Sequence, residues 1–234
     1  MSQVSEVPMI IDCVMPARNE AVTIETNVAA VLGCQYVRSL IVVDDGSTDA
    51  TAELAAKAGA RVISRGEESG SKALAMAVGV SASDAGAILF VDGDCTKLTS
   101  AHLDQICEPF VKGEAQMSVG FFDYGWFWNQ LVRRWPPISG ERVIPRWVFE
   151  AIPEEKLSGY TIELRINEVI AEHHLATTVR TMRGVSHRTK RDKSGFVVGM
   201  KLTFAMYREL LGVLRGDLRW RTYWFYLKGL TVKR

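Results

Sequence analysis

The 234-residue chain has no apolar run near the ~18–20 residues that a membrane-spanning helix needs. Its first residues, MSQVSEVPMIID, lack the basic-then-apolar order of a secretory leader. Cysteine is scarce: Cys13, Cys34, Cys95 and Cys107 show no CxxC spacing and fall in or beside apolar segments. That excludes a zinc framework and a disulfide scaffold, and implies reduced, buried thiols in a cytoplasmic protein. Internal repeats and low-complexity linkers are absent as well. The expectation is one domain over 1–214, with a nucleotide-binding half at about 9–115 and a second half at about 116–214, followed by a tail over 215–234.

Net charge is almost absent too, at +1, but it is unevenly spread. Residues 180–234 hold fourteen of the 28 Lys/Arg and three of the 27 Asp/Glu. An acidic body with a basic C-terminal end implies an anionic partner for that end. Nucleic acid is set aside, because no recognised nucleic-acid-binding module accompanies the charge. The tail, RGDLRWRTYWFYLKGLTVKR, mixes basic residues with Trp220, Trp224 and Phe225. Such a segment suits an anionic membrane surface. The competing reading is that it packs across the domain or forms a homodimer contact.

What is present is hydrophobic material, 47% of the chain, in a regular alternation. Residues 9–15 (MIIDCVM) read as a buried strand ended by Pro16, and 21–32 as a helix stopped by Gly33. Residues 40–43 read as a second strand, 50–58 as a helix capped from Ser47-Thr48-Asp49, and 60–64 as a third strand. A helix over 72–81, a strand over 87–91, a helix over 98–111 and a strand over 115–122 follow. Strands alternating with helices indicate a mostly parallel central sheet flanked by helices, an α/β fold. After Asp123 the alternation stops in an aromatic stretch that carries Pro136, Pro137 and Pro145. A helix over 161–173, a strand near 177–182, a turn through His187 and a helix over 196–212 complete the expected elements.

Three strand ends carry polar clusters: Pro16-Ala17-Arg18-Asn19-Glu20, Asp44-Asp45-Gly46-Ser47-Thr48-Asp49 and Asp92-Gly93-Asp94. Alone, Asp-Gly-Asp is an ordinary turn. In parallel strands, however, all three clusters lie along one edge, and that edge is where α/β proteins bind ligands. Two carboxylates one residue apart repel unless a cation sits nearby, and hard divalent cations take oxygen ligands.

These motifs (MPARNEAVTI, IVVDDGSTDAT, SGSKALA and LFVDGD) resemble the nucleotide-binding half of family 2 glycosyltransferases with a GT-A fold. The resemblance implies a nucleotide-sugar donor, UDP-linked, with Ala17, Asn19, Glu20 and Gly93 at the nucleotide pocket. It implies that Asp44 or Asp45 reads the uracil or ribose. Asp94 would hold Mn2+ or Mg2+, with Asp92 towards the ribose or the metal. Lys72 would face the diphosphate; relatives often have Gly-Lys-Gly where this chain has Ser71-Lys72-Ala73.

In the second half, Ser139-Gly140-Glu141-Arg142 with Arg146 resembles the acceptor-side loop of such enzymes. Gly159-Tyr160 with Glu163 resembles the GYxxE element of polyprenyl-phosphate sugar transferases and glucosyl-3-phosphoglycerate synthases. Gly184-Val185-Ser186-His187-Arg188 is similar to the latter group, which implies His187 as a third metal ligand. His173 and His174 read as structural at a helix end.

Either Glu141 or Glu163 serves as catalytic base, or an ionised phosphate acceptor needs none. Arginines 133, 134, 142 and 146 are candidates for holding that phosphate. The expected activity is metal-dependent sugar transfer to a lipid phosphate or a small phosphorylated metabolite, in the cytoplasm or at the inner face of the membrane. The rivals are a sugar-1-phosphate nucleotidyltransferase, whose Gly-rich first loop MPARNE lacks, and a non-catalytic nucleotide-sugar-binding protein.

Overall fold

The computed structural model describes residues 10–66, 70–122, 139–157 and 161–188, together with the backbone of 231–233. The first strand, β1 (Ile11–Ala17), is buried along its whole length. It is followed by α1 (Ile24–Leu32), β2 (Val37–Asp44), α2 (Thr51–Lys57), β3 (Arg61–Ser64), α3 (Lys72–Ser81) and β4 (Ala87–Phe90). Then come β5 (Cys95–Thr96), α4 (Ser100–Val111), β6 (Met117–Phe122), β7 (Arg142–Pro145) and α5 (Arg146–Glu150). A short 3-10 turn (Glu154–Lys156) leads to α6 (Ile162–Glu172), β8 (Thr177–Met182) and β9 (Ser186–His187), and Thr231–Lys233 forms β10.

The central sheet is eight-stranded in the order β10-β8-β6-β7-β4-β1-β2-β3. Its strands are parallel except β7, which pairs antiparallel with both β4 and β6. One face packs against α1 and α4 through Ile24, Val28, Val31, Leu103 and Ile106. The other packs against α3, α5 and α6 through Ala73, Met76, Val148, Ile166 and Ile170. Burial on both faces explains why the strands read as unbroken apolar runs. Among the described residues no helix is long and apolar enough to cross a membrane. The four cysteines are buried and free.

Three expectations are corrected. Pro16 does not end β1: the strand continues, pairing Pro16 with Val43 and Ala17 with Asp44. The β4 pairing stops at Phe90, opposite Val14, so Pro16 has a neighbour on one side only and its missing N–H leaves no gap in the ladder. The side chains of 47–49 do not occupy the N-cap of α2, which falls on Ala50. Asp49 Oδ1 instead accepts from the Thr51 amide at 3.0 Å, one residue inside. Finally, the segment expected as an irregular acceptor loop contains β7, inserted between β4 and β6. The predicted helix over 196–212 lies outside the described residues.

Candidate active site

The parallel strands deliver their polar ends to one edge, and backbone bonds lock the clusters together. The Asp45 amide donates to the Ala17 carbonyl at 2.8 Å. The Glu20 amide donates to Thr51 Oγ1 at 2.8 Å, and the Asn19 amide to Ser47 Oγ at 3.0 Å. Asn19 Oδ1 accepts in return from the Thr48 amide at 2.8 Å. Asn19 adopts a φ of 57°, a left-handed conformation that Asn tolerates better than most residues.

Gly93 passes tightly over this junction. A Cβ there would stand 3.1 Å from that of Ala17 and 3.4 Å from the Pro16 carbonyl. Its own carbonyl accepts from Thr23 Oγ1 at 2.8 Å and Asn27 Nδ2 at 2.9 Å. Asn27 Nδ2 also reaches the Cys95 carbonyl at 3.0 Å, so one buried amide fixes both sides of Asp94. Thr23 and Asn27 escaped the sequence reading. The available signal was a buried-face polar residue, Asn27, among the apolar Ile24, Val28 and Val31 of α1.

Asp92 and Lys72 form the electrostatic centre. Lys72 Nζ lies 2.7 Å from Asp92 and 2.7 Å from Glu163, joining α3, the end of β4 and α6. Burial alone would lower the Lys72 pKa, but the charges of Asp92 and then Glu163 outweigh it and hold the ammonium well above its ordinary value. Lys72 is also the first residue of α3, whose N-cap Ser71 accepts from the Leu74 amide at 3.4 Å. The positive end of the helix therefore opens at the same place.

The two aspartates offered as nucleoside readers are both buried and differ in their partners. Asp44 Oδ1 accepts from the Ser47 amide at 3.2 Å, and its Oδ2 from Ser64 Oγ at 3.5 Å. Asp45 Oδ1 is ion-paired with Arg65, and its Oδ2 accepts from the Gly70 amide at 3.0 Å.

The acceptor-side motif closes over Asp92 because β7 pairs Arg142 with Phe90. A Cβ at Gly140 would stand 2.2 Å from Asp92 Oδ2, so any side chain here would have to displace the Asp92 carboxylate. Next to it, Glu141 is wholly buried. Burial, reinforced by the charge of Asp92, pushes its pKa up to about 7. Ser139 Oγ lies 2.5 Å from the Gly120 carbonyl and 2.7 Å from Glu141 Oε2, while Cys95 Sγ donates to Oε1 at 3.2 Å. A hydroxyl has one proton to give and here faces two acceptors. A proton on Glu141 resolves this: Glu141 donates to Ser139, and Ser139 donates to Gly120.

The site assignments change accordingly. Glu141, one of the two candidate bases, is wholly buried, with its two oxygens engaged by Ser139 and Cys95. Arg142 is likewise sealed: it donates to the Ser139 carbonyl at 3.0 Å, the Glu163 carbonyl at 3.3 Å and Asn167 Oδ1 at 2.9 Å. Its guanidinium ties β7 to α6 and is not presented as a phosphate fork. Arg146 sits at the other end of β7, where its amide donates to the Gly86 carbonyl ahead of β4. That is the amino edge of the sheet, away from Asp92, and Arg146 bonds there to Glu150 at 2.6 Å. Tyr160, Arg133 and Arg134 lie outside the described residues.

The backbone at His187 is brought beside Asp94. It pairs with Cys95 across the small β5–β9 sheet, and the Arg188 amide donates to the Asp94 carbonyl at 3.0 Å. The exposed ring of His187 stacks edge-on against Phe122 at 5.0 Å. Arg188 reaches back to Glu20 at 3.7 Å. Among the described residues no three His, Cys, Asp or Glu side chains gather into a closed metal cage. Asp94 with His187 nearby fits a different arrangement, in which one or two protein ligands share a divalent cation with nucleotide phosphates. His173 belongs to the end of α6, where its Nδ1 meets the Val169 carbonyl at 3.0 Å.

Comparison with known proteins agrees with this geometry. The family model described as glycosyl transferase family 2 matches residues 12–177, well over half of the chain. Similar solved structures include glucosyl-3-phosphoglycerate synthase from Mycobacterium tuberculosis in complex with Mn2+, UDP and phosphoglyceric acid. That structure has 25% identity and a TM-score of 0.73, over 88% of this chain and 77% of that one. The same enzyme with Mn2+, UDP and glucosyl-3-phosphoglycerate matches at 25% identity and a TM-score of 0.71, covering 88% and 78%. With Mn2+, UDP-glucose and phosphoglyceric acid the figures are 25%, 0.66, 85% and 78%. No significant match was found among curated proteins.

Proposed function

Since the chain belongs to glycosyl transferase family 2, we propose that this glycosyltransferase moves a sugar from a UDP-linked donor to a small phosphorylated acceptor. The observation that carries the reading is the Asp92–Lys72–Glu163 bridge, with Gly140 pressed on Asp92, which joins donor and acceptor halves at one point. The neighbours' UDP, UDP-glucose, Mn2+ and phosphoglycerate support the donor, cation and acceptor classes.

On this reading Ala17, Asn19, Glu20, Gly93 and Asp44 line the nucleoside side. Asp92-Gly93-Asp94 is the Asp-x-Asp motif, and Mn2+ or Mg2+ at Asp94, with Asp92 and His187 alongside, supplies Lewis-acid stabilisation of the diphosphate. Lys72, at the amino end of α3, faces the oxygen that gains charge as the sugar departs. Gly140 and, on the resemblance alone, Tyr160 border the acceptor, while Ser139 is buried with its hydroxyl engaged by Gly120 and Glu141. Neither proposed base suits that role: Glu141 is sealed behind Gly140, and Glu163 is held by Lys72 at 2.7 Å. An acceptor whose attacking oxygen needs no protein base fits this site, and the chain's task is then to orient the two substrates and exclude water.

The tail has three readings. Its basic and aromatic composition supports peripheral contact of 215–234 with an anionic membrane face. The parallel pairing of Thr231 with Thr178 and of Lys233 with Arg180 supports packing of the chain end on the catalytic sheet, and it favours a soluble acceptor. A homodimer contact through the tail remains its third use.

A panel of nucleotide sugars tests the function, scored for Mn2+-dependent hydrolysis and then for transfer to phosphoglycerate, glycerol 3-phosphate or a polyprenyl phosphate. Selective turnover of a UDP-sugar with a phosphorylated acceptor is expected. Failure to turn over any nucleotide sugar would sink the proposal.

A further inference from the structure

We propose that Asp45 and Arg65 form a latch that positions Lys72, and that Asp45 does not read the nucleobase. The inference rests on the transferase reading above for what Lys72 does.

Both side chains of the pair are 7% exposed, and both oxygens of the Asp45 carboxylate are engaged within the protein. One takes the Arg65 guanidinium and the other the Gly70 amide at 3.0 Å. Arg65 Nη1 also donates to the Ser71 carbonyl at 3.2 Å, and the Arg65 amide donates to the Asp44 carbonyl at 3.0 Å. A single carboxylate therefore holds both ends of the segment 65–70. The second end leads directly into Ser71, the N-cap of α3, and Lys72, its first residue. Gly70 reaches Asp45 with a φ of +107°, a conformation that residues with a side chain rarely adopt.

This fixes the start of α3 against the end of β2 without help from the helix itself. Lys72 Nζ must meet Asp92 and Glu163 at 2.7 Å each, so its reach depends on where the Ser71–Lys72 backbone is held. Losing the Asp45 charge leaves a buried guanidinium without its ion-pair partner and loosens the hold on the Gly70 amide, since an asparagine offers one oxygen to the two donors. The start of α3 then shifts, and Lys72 misses the diphosphate while the nucleoside side stays intact. A misplacement of about 1 Å at such a group costs about a hundredfold in rate.

The test uses the full chain with Asp45→Asn, Arg65→Met and Arg65→Lys. Hydrogen exchange at the Gly70 amide is read first, in the absence of any nucleotide. Protection in the unmodified protein and its loss in Asp45→Asn is expected; an unprotected Gly70 amide in the unmodified protein overturns the latch. This arm is independent of whether the protein turns over a nucleotide sugar, and it still decides if a variant fails to fold. Folded variants are then compared for UDP and uridine binding and for turnover. The latch predicts kcat down about 10–100-fold, weaker UDP binding, unchanged uridine binding and unchanged preference for UDP over ADP, with partial recovery in Arg65→Lys. Loss of uridine binding or of base preference in Asp45→Asn, with kcat unchanged at saturation, overturns the proposal in favour of nucleobase readout. Absence of turnover in the unmodified protein counts against the transferase reading alone.

Discussion

Replacing Glu141 with glutamine should make the protein more stable above neutral pH, although it removes a native carboxyl from the core. The chain from Glu141 Oε2 to Ser139 Oγ to the Gly120 carbonyl has two short contacts, 2.7 and 2.5 Å, and needs a proton on Glu141 to close. Burial and the neighbouring Asp92 charge raise the pKa of this group from 4.5 to about 7. Because the folded value lies above the unfolded one, the stabilisation is full below pH ~4.5. It declines as pH rises and is lost once pH passes ~7. A gap of about 2.5 units corresponds to about 3 kcal/mol between the two plateaus. Glutamine keeps the shape, offers an N–H to Ser139 and an oxygen to the Cys95 thiol, and carries no titrating proton. Urea unfolding of both proteins at pH 5, 6, 7 and 8 gives the comparison, with the difference between them isolating Glu141 from other titrating groups. The difference should move by about 1.4 kcal/mol per pH unit between the two pKa values in favour of glutamine. A pH-independent difference, or a glutamine variant less stable at pH 8, would refute the neutral brace.

Other outcomes follow from the same geometry. Asp94→Ala should abolish Mn2+-dependent UDP binding and turnover while the thermal unfolding curve stays cooperative; unchanged calorimetric affinity for Mn2+ and UDP contradicts the metal assignment. Asp44→Ala should weaken UDP by about ten- to a hundredfold, since a nearly buried hydrogen bond to the nucleoside contributes ~1–3 kcal/mol. Gly140→Ala puts a methyl 2.2 Å from Asp92 Oδ2, so turnover should fall with it, and full activity in that variant would show that the loop yields freely. If 215–234 touches anionic lipid, vesicle binding should be lost on adding salt, because each basic residue contributes about 1 kcal/mol and the attraction fades within a Debye length. No binding to anionic vesicles at low salt leaves the tail to packing or oligomer contacts.

The donor half was legible because its chemistry sits at strand ends, where period and punctuation coincide. The expected α3 over 72–81 and strand over 177–182 match the observed elements residue for residue. The shared edge of Ala17, Asp44 and Asp92 followed from parallel alternation alone. What patterning could not distinguish was which carboxylate faces a ligand and which faces the protein. Asp44 and Asp45 are adjacent, equally buried and chemically identical, and only their partners separate them: Ser47 and Ser64 for Asp44, Arg65 and the Gly70 amide for Asp45. An arginine after a short strand carries no signal of that use.

The acceptor half was harder for a topological reason. A four-residue strand, Arg142–Pro145, runs against its neighbours and sits between β4 and β6, although the chain between β6 and β7 is long. Alternation cannot predict a strand that returns into the middle of a sheet, because successive parallel strands such as β4 and β6 are expected side by side. Without β7, Ser139 to Arg146 looks like a polar loop whose glutamate and arginines face solvent. With it, the same residues divide by position along the strand. Glu141 and Arg142 enter the core beside the carboxyl edge, Gly140 closes on Asp92, and Arg146 is carried to the opposite edge. The antiparallel direction is therefore what places Gly140 at the site and removes Arg146 from it. A parallel strand of the same sequence would put Arg142 at the amino edge and Pro145 at the carboxyl edge, leaving Asp92 without the glycine it packs against.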